Sequence, residues 1–267
     1  MDKKTLVRET LKTPFNDLAK VQDSIAPIFC ERIPEIPVDK PLMITSDWHV
    51  PAISLVWLKR MLRAAIRHNC KTLVIAGDLF NFDAISRFER DRPRPDTCTV
   101  EEELDFGEAV LKHVVPQFDN IYWINSNHDE RFLRILRDQI KFDRLVNLLP
   151  GIDSTKFHMC EYSYIQAGDF RITHPDRARK WTLSKTRELA NKFRCNIIMA
   201  HSHQFGIGYS QGGYLVMETG GLADFPRLHY MHRTDNERPV SMNGFCVLHN
   251  KTLIPYSEGV GLPPLIT

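Results

Sequence analysis

Side chains that commonly bind metal ions occur in five short clusters along this chain. The clusters are Asp47-Trp48-His49, Gly77-Asp78 with Asn81, Asn127-His128-Asp129, His174, and His201-Ser202-His203. They offer carboxylate, carboxamide and imidazole groups, and none contains a cysteine. Oxygen and nitrogen ligands without sulfur suit Mn²⁺, Fe or Zn²⁺. The residue types therefore indicate a metal centre in which thiolate takes no part.

Four of the clusters follow apolar runs that predict buried strands, at 42–44, 73–75, 121–124 and 197–200. Residues 53–68 have a helical apolar period, which predicts an amphipathic helix joining two parallel strands. We expect its apolar face to carry Leu55, Val56, Leu58, Met61, Leu62, Ala65 and Ile66. Ligands that follow adjacent strands meet at one edge of a sheet, where open α/β sheets build their active sites.

Two metal ions held ~3.5–4 Å apart would give such ligands a hydrolytic chemistry. One carboxylate must bridge both ions, while neutral imidazoles and an amide oxygen complete the two shells. A water between the ions then loses a proton near neutral pH and attacks phosphorus. We expect no covalent enzyme intermediate, because this chemistry needs no nucleophilic side chain.

The order D-x-H, G-D-x-x-N, N-H-D, H and H-x-H resembles the calcineurin-like metallophosphoesterases over roughly residues 42 to 256. Each cluster alone has an ordinary structural explanation, such as a turn or a helix cap, and the order of the whole set gives the resemblance its weight. The resemblance implies that the first ion is bound by Asp47, His49, Asp78 and His203. It implies that the second is bound by Asp78, Asn127, His174 and His201, with Asp78 as the bridge.

The same resemblance gives roles to two residues that are not ligands. His128 would contact the phosphate and help to protonate the leaving oxygen. Asp129 would orient or charge that imidazole. The implied cofactors are two divalent ions, with Mn²⁺ as the first choice and Fe, Zn²⁺ or Ni²⁺ as alternatives.

Three neighbours of the ligands depart from the family's pattern. Ser126 and Ala200 stand where the family usually has glycine before the N-H-D and H-x-H motifs, and His174 lacks the glycine that commonly lies beside it. All three departures leave the ligating side chains in place, so they weaken the match little.

The predicted fold is a four-layer α/β/β/α sandwich of two mixed sheets flanked by helices, with the metal site at the C-terminal strand edge. Residues 1–40 predict a helical extension and a Pro-rich connector, and residues 41–267 a phosphoesterase domain with an insert at about 83–105. We expect helices over 104–115, after residue 128 and over 181–193. Alternating runs in the second half predict strands at 162–165, 170–173, 205–209, 214–218, 245–248 and 253–256.

Composition limits the partners and the location. The net charge of +2 gives no global basic field, and no apolar run approaches the ~20 residues that cross a bilayer. The N-terminus is polar and lacks a signal-peptide core, so we expect a cytoplasmic protein with no membrane partner. Six scattered cysteines without a CxxC pair indicate free thiols. The sequence sets no oligomeric state.

Local basic segments are the candidates for substrate contact. The arginines of the 83–105 insert are either a solvated face or a guide for a phosphate-rich substrate. The segment 177–187 is basic and follows the implied ligand His174. The 222–243 loop is either a solvated loop or a substrate-contacting loop that returns close to the H-x-H motif. The residues proposed to contact substrate are Asn81, Arg87, Arg177 and His229.

A phosphodiesterase or nuclease acting on nucleotides or nucleic acid is the first functional prediction. The alternative is a phosphomonoesterase for a phosphoprotein or a small metabolite. A scaffold protein that has lost turnover is disfavoured, because every ligand position is intact. A nucleic-acid-binding module with an incidental metal site is disfavoured as the sole function by the modest net charge.

Overall fold

The protein is described here by a computed structural model that covers residues 33–86, 98–136, 139–228, 231 and 240–258. The predicted N-terminal helices therefore lie outside the described residues. So do Arg87 and the other arginines of the insert, and His229.

The first of two mixed sheets holds the strands that precede three of the clusters. In spatial order it contains β12 (Thr252–Ser257), β11 (Gly244–His249), β2 (Leu42–Thr45), β3 (Thr72–Ile75), β4 (Asn120–Ile124) and β5 (Phe157–Cys160). Strands β2 to β5 run parallel, whereas β11 is antiparallel to both of its neighbours. Parallel β2, β3 and β4 bring their carboxyl ends to the same edge.

The second sheet supplies the remaining clusters. In spatial order it contains β1 (Glu35–Ile36), β6 (Tyr164–Ala167), β7 (Phe170–Thr173), β8 (Asn196–Met199), β10 (Leu215–Thr219) and β9 (Phe205–Tyr209). Strands β7 and β8 are parallel, and the outer strand β9 is antiparallel to β10. His174 and His201 follow β7 and β8 and so leave the sheet in the same direction.

Four α-helices are described, and they lie on the outer faces of the sheets. They are α1 (Leu55–Arg67), α2 (Val100–Val114), α3 (Asp129–Ile135) and α4 (Ser184–Phe193). No helix in the described ranges combines the length and the apolar character that a membrane crossing requires.

Alternation along the strands divides the core into layers. Met43 packs in a cluster with Trp57 and Met61, while its neighbour Ile44 packs with Ile198 and other side chains from the second sheet. A third cluster joins α4 to the outer face of the second sheet. The layers are therefore α/β/β/α, which confirms the predicted fold.

Several element boundaries differ from the prediction. Leu55, Val56 and Ile66 are 53%, 51% and 67% exposed, so their placement on the buried face of α1 was wrong. At 3.6 residues per turn, all three lie on the side of the helix away from the buried Trp57, Met61 and Ala65. Helix α2 begins at Val100 rather than 104, because Thr99 and Glu102 form a capping box that starts it earlier.

The second half of the chain follows the predicted strands with small shifts. Helix α4 begins at Ser184 rather than 181, since Leu183 has left-handed backbone geometry that ends the preceding segment. The predicted 162–165 strand is β6, displaced by two residues. Strands β1 and β5 were not predicted. The five cysteines within the described ranges are free thiols.

Candidate metal centre

The loops after β2, β3, β4, β7 and β8 bring seven predicted ligands together at one end of the two sheets. Both sheets contribute: Asp47, Asp78 and Asn127 follow strands of the first, and His174 and His201 follow strands of the second. The site therefore lies at one end of two sheets packed face to face, rather than at the edge of a single sheet.

A first group of ligand atoms comes from Asp47, His49, Asp78 and His203, all within 4.8 Å of one another. The Nε2 atoms of His49 and His203 lie 3.0 Å apart. His203 Nε2 is 3.2 Å from Asp47 Oδ1, and His49 Nε2 is 3.7 Å from Asp78 Oδ2. All four residues are buried.

A second group comes from Asp78, His174 and His201, again within 4.8 Å of one another. His174 Nε2 lies 3.4 Å from Asp78 Oδ2 and 3.2 Å from His201 Nδ1. Asn127 joins this group, because its Oδ1 is 3.1 Å from His174 Nε2. Asp78 is common to both groups, which is the position that a bridging ligand needs.

A hydrogen bond to the backbone fixes the orientation of the His174 ring. Its Nδ1 donates to the carbonyl oxygen of Ala76 at 2.8 Å, so Nε2 is the nitrogen that faces the other ligands. Gly77 permits this approach. It has a φ of +83°, and a Cβ there would lie 2.5 Å from His174 Nδ1 and 2.7 Å from Ser126 Cβ. No residue with a side chain fits at position 77.

The backbone at the centre is unusual. Five proposed ligands adopt left-handed backbone geometry with positive φ: Asp47, His49, Asp78, His201 and His203. Such geometry costs on the order of 1–3 kcal/mol at a residue other than glycine and persists only where the surroundings impose it. Here the amides of Trp48 and His49 both donate to the carbonyl oxygen of Asp78, at 2.9 and 3.0 Å. These bonds tie the first ligand loop to the second.

Burial and charge determine the protonation of the carboxylates. Burial acts to raise the pKa of Asp47 and of Asp78, but nearby histidine rings outweigh it and hold both pKa values below the usual range. Asp47 Oδ1 is buried and makes no hydrogen bond of good geometry, although His203 Nε2 is close. The centre therefore contains ionised carboxylates with unused lone pairs.

The imidazoles differ from one another. Burial lowers the pKa of His49 to about 3 and that of His201 to about 4, so both rings are neutral. Burial also opposes charge on His174, but the carboxylates of Asp78 and Asp47 outweigh it and raise its pKa to about 9. The two buried carboxylates of Asp47 and Asp78 outnumber the one protonated ring, His174, and divalent ions would supply the remaining positive charge. The residues present fit metal ions.

His128 lies beside both groups. Its Nδ1 donates to the carbonyl oxygen of Asn81 at 2.7 Å, and its Nε2 is 3.8 Å from Asp78 Oδ2. The ring makes an edge contact with His49, with centroids 4.6 Å apart. Burial holds the pKa of His128 well below its usual range, so Nε2 carries a lone pair rather than a proton here.

Arg131 is a site residue that the sequence analysis missed. Its Nη2 lies 3.0 Å from His128 Nε2, and its Nη1 donates to the carbonyl oxygen of Asn81 and to Asp83 Oδ1. The signal was present, because a residue three positions after His128 at the start of a helix shares its face. A guanidinium at this place can contact a phosphate oxygen.

The structure gives Asp129 a different set of contacts from the predicted one. Its Oδ2 accepts from the hydroxyl of Ser126 at 2.7 Å and from Trp123 Nε1 at 3.2 Å. The group that orients the ring of His128 is instead the carbonyl oxygen of Asn81. Burial raises the pKa of Asp129 to about 8, which makes it a poor source of negative charge for an imidazole at neutral pH.

Two of the residues proposed to contact substrate can be placed. Asn81 is buried beside His128, and its Oδ1 has no hydrogen-bond partner. Arg177 is exposed in the loop that follows His174. Asn81 thus lies at the centre, whereas Arg177 is exposed on the surface, three residues after the proposed ligand His174.

Comparisons with known proteins give a family and several similar structures. A sequence model described as calcineurin-like phosphoesterase matches residues 40–230. An archaeal phosphodiesterase is 15% identical, with a TM-score of 0.45, and the match covers 81% of this chain and 99% of that one. The phosphoesterase Yfce from E. coli is 14% identical (TM-score 0.37, 80% and 90% covered), and the Pseudomonas putida nuclease MPE 15% (0.33, 80% and 87%). None of the curated proteins matches significantly.

Proposed function

The chain belongs to the calcineurin-like phosphoesterases, which makes it a hydrolase of phosphoester bonds, and from that premise we propose that it is a two-metal phosphodiesterase. One observation carries the proposal: two groups of ligand atoms, buried except for the partly buried His201, lie next to each other and share Asp78. We assign Asp47, His49, Asp78 and His203 to one ion and Asp78, Asn127, His174 and His201 to the other. When bound, the two ions would activate a water and stabilise charge on the phosphoryl oxygens.

His128 is proposed to protonate the leaving oxygen. The carbonyl oxygen of Asn81 fixes Nδ1 as a donor, which leaves Nε2 to exchange a proton with the substrate. Burial keeps the His128 ring neutral in the protein alone. An anionic phosphate placed beside the ring raises the pKa of His128 and favours protonation of Nε2. Arg131, 3.0 Å from that nitrogen, is in reach of the same phosphate.

A diester is preferred over a monoester because positive charge extends beyond the ligands. The basic segment 177–187 follows His174 and packs against the H-x-H loop, where Gln204 Nε2 donates to the carbonyl oxygen of Arg179 at 3.1 Å. Charge there matches a substrate with phosphates on both sides of the reacting one. Nucleotides and nucleic acids have that character.

The test compares two chromogenic esters with protein that has been stripped by chelator and reloaded with Mn²⁺. We expect hydrolysis of bis(p-nitrophenyl) phosphate and little of p-nitrophenyl phosphate. The reverse preference would support the phosphomonoesterase instead. No hydrolysis of either ester, with Mn²⁺, Fe²⁺, Zn²⁺ or Ni²⁺, would contradict both.

A further inference from the structure

A groove of about 770 Å³ runs along α4, from Arg179 in the loop before the helix to Asn191 in its last turn and Gln211 in the β9–β10 turn. Its walls include three cations, Arg179, Lys180 and Arg187, and one carboxylate, Glu188. Glu188 is itself paired with Arg179 and with Lys185, at 3.3 and 2.6 Å. The groove therefore has an excess of positive charge after its one internal anion is counted.

Trp181 lies in the wall of this groove with 74% of its surface exposed. The other tryptophans, Trp48, Trp57 and Trp123, are buried in the core. The backbone at Trp181 is held in place, because its carbonyl oxygen accepts from the amide of Ser184 at 3.1 Å. An exposed indole on an ordered backbone, among cations, is the arrangement on which unpaired bases stack.

The groove is joined to the ligand loop by hydrogen bonds. Gln204 follows the proposed ligand His203, and its Nε2 and Oε1 bind the carbonyl oxygen of Arg179 and the hydroxyl of Thr182. These bonds attach the segment that carries Trp181 to Gln204, the residue that directly follows the proposed ligand His203.

A second connection runs through Glu218. Its Oε2 accepts from Ser202, which stands between the two histidines of the H-x-H motif, at 3.0 Å. Its Oε1 accepts from the amide of Leu183 and from the hydroxyl of Thr186, each at 2.9 Å. Gly206 on β9 lets the segment lie close, since a Cβ there would be 2.8 Å from Thr182 Cγ2. Hydrogen bonds thus join the wall of the groove to the loop that carries His201 and His203.

We propose that this groove binds single-stranded nucleic acid, with a base stacked on Trp181 and backbone phosphates at Arg179, Lys180 and Arg187. A phosphodiester of the same strand then reaches the metal centre. Duplex is disfavoured, because paired and stacked bases do not offer a face to an indole. The inference rests on the proposed phosphodiesterase function and names the substrate class of that site.

The experiment measures kcat/KM of the Mn²⁺-loaded enzyme for oligothymidylate and for bis(p-nitrophenyl) phosphate. Loss of a stacking aromatic lowers single-strand affinity by about 5- to 100-fold. We therefore expect Trp181→Ala to lower kcat/KM for oligothymidylate, relative to kcat/KM for bis(p-nitrophenyl) phosphate, by that factor. Trp181→Phe should keep most of the wild-type ratio. Arg179→Gln should weaken the salt dependence of oligonucleotide cleavage. Lys59→Gln, an exposed lysine on α1, is the matched control and should change neither.

The possible results distinguish a failure of strand binding in the groove from a failure of the proposed phosphodiesterase activity. If Trp181→Ala hydrolyses the small diester and the ratio is unchanged, strand binding in the groove is contradicted, while the proposed phosphodiesterase activity is not. Equal cleavage of duplex and single strand, with equal sensitivity to Trp181→Ala, would also overturn the single-strand assignment. Absence of all diester hydrolysis would remove the proposed function itself. Quenching of tryptophan fluorescence by oligothymidylate that is lost in Trp181→Phe is the supporting binding result.

Discussion

At the scale of single residues, the proposed acid His128 has one nitrogen already engaged. Because the carbonyl oxygen of Asn81 holds Nδ1–H, only Nε2 is placed to exchange a proton, and Arg131 and Asp78 lie around it. His128 belongs to neither group of ligand atoms. Its removal should therefore separate chemistry from metal binding.

His128→Ala is expected to lower kcat for a phosphodiester by about 10²- to 10⁴-fold, the usual contribution of a general acid. Metal content, measured by mass spectrometry of the same samples, should stay at the wild-type level. A variant with normal metal content and undiminished kcat would refute the acid role.

Ser126, one of the departures from the family's pattern, has a structural explanation. Its hydroxyl accepts from the amide of Asp78 at 2.9 Å and donates to Asp129 at 2.7 Å. It thereby connects the turn that carries the shared ligand to the start of α3. A glycine at this position would lack that connection.

Ser126→Ala should lower the free energy of unfolding by about 1–3 kcal/mol, because it leaves the buried amide of Asp78 without its partner. Urea unfolding measures the change. Ser154→Ala, on a partly exposed 3₁₀ turn, is the control and should cost far less. Equal effects of the two substitutions would show that the Ser126 hydroxyl does not hold the turn.

The chemistry of a metal centre restricts its ligands to a few side chains, so residue types alone predicted seven candidates, and the structure brings these seven close together. Contacts made by residues that are not proposed ligands could not be predicted in that way. Arg131 and the Ser126–Asp129 bond depend on where a helix starts relative to a neighbouring loop. The contacts of Asp129 with Ser126 and Trp123 depend on the same relation between loop and helix.

At the scale of elements, helix α2 supports the loop that orients His128. Glu103 of α2 is buried, and its Oε1 accepts from the amides of Asn81 and Phe82 at 2.6 and 2.7 Å. Burial raises the pKa of Glu103 from 4.5 to about 8. In the folded state the group thus holds a proton that the unfolded chain releases above pH 4.5.

This difference sets the sign of a pH effect. A folded pKa above the unfolded one gives stability that is present below about pH 4.5 and is lost as the pH rises towards 8. Glu103→Gln keeps the two acceptor bonds and cannot ionise. The stability of wild type relative to Glu103→Gln should therefore fall between pH 5 and pH 8.5, measured by urea unfolding in chelator.

Histidines that titrate in both proteins cancel in that difference. Glu101→Gln, exposed on the same first turn of α2, controls for the loss of a helix N-terminal charge. A constant difference between wild type and Glu103→Gln across this range would contradict the raised pKa.

Periodicity predicted most elements, and the exceptions have local causes. The capping box of Thr99 and Glu102 was a readable signal for the start of α2, but the acidic first turn has no apolar stripe. Strand β5 has an exposed His158 and no clear alternation, and it is recognised only through its pairing with β4. Tertiary pairing is invisible to a local pattern.

At the scale of the whole molecule, two sheets meet so that ligands from both converge. The prediction placed the ligands at strand ends, but the joining of the two sheets depends on packing in the core between them. Asp78, from the first sheet, is the residue that belongs to both groups of ligand atoms. The two-metal proposal therefore depends on this one carboxylate more than on any other.

The most direct test is the metal content of wild type and Asp78→Asn after loading with Mn²⁺ and desalting. Wild type should bind about two ions per chain, as a two-metal site requires. Asp78→Asn should lose occupancy at both positions, with His113→Asn on α2 as a control that keeps both ions. Two ions retained by Asp78→Asn, or one ion bound by wild type at saturation, would contradict the shared centre.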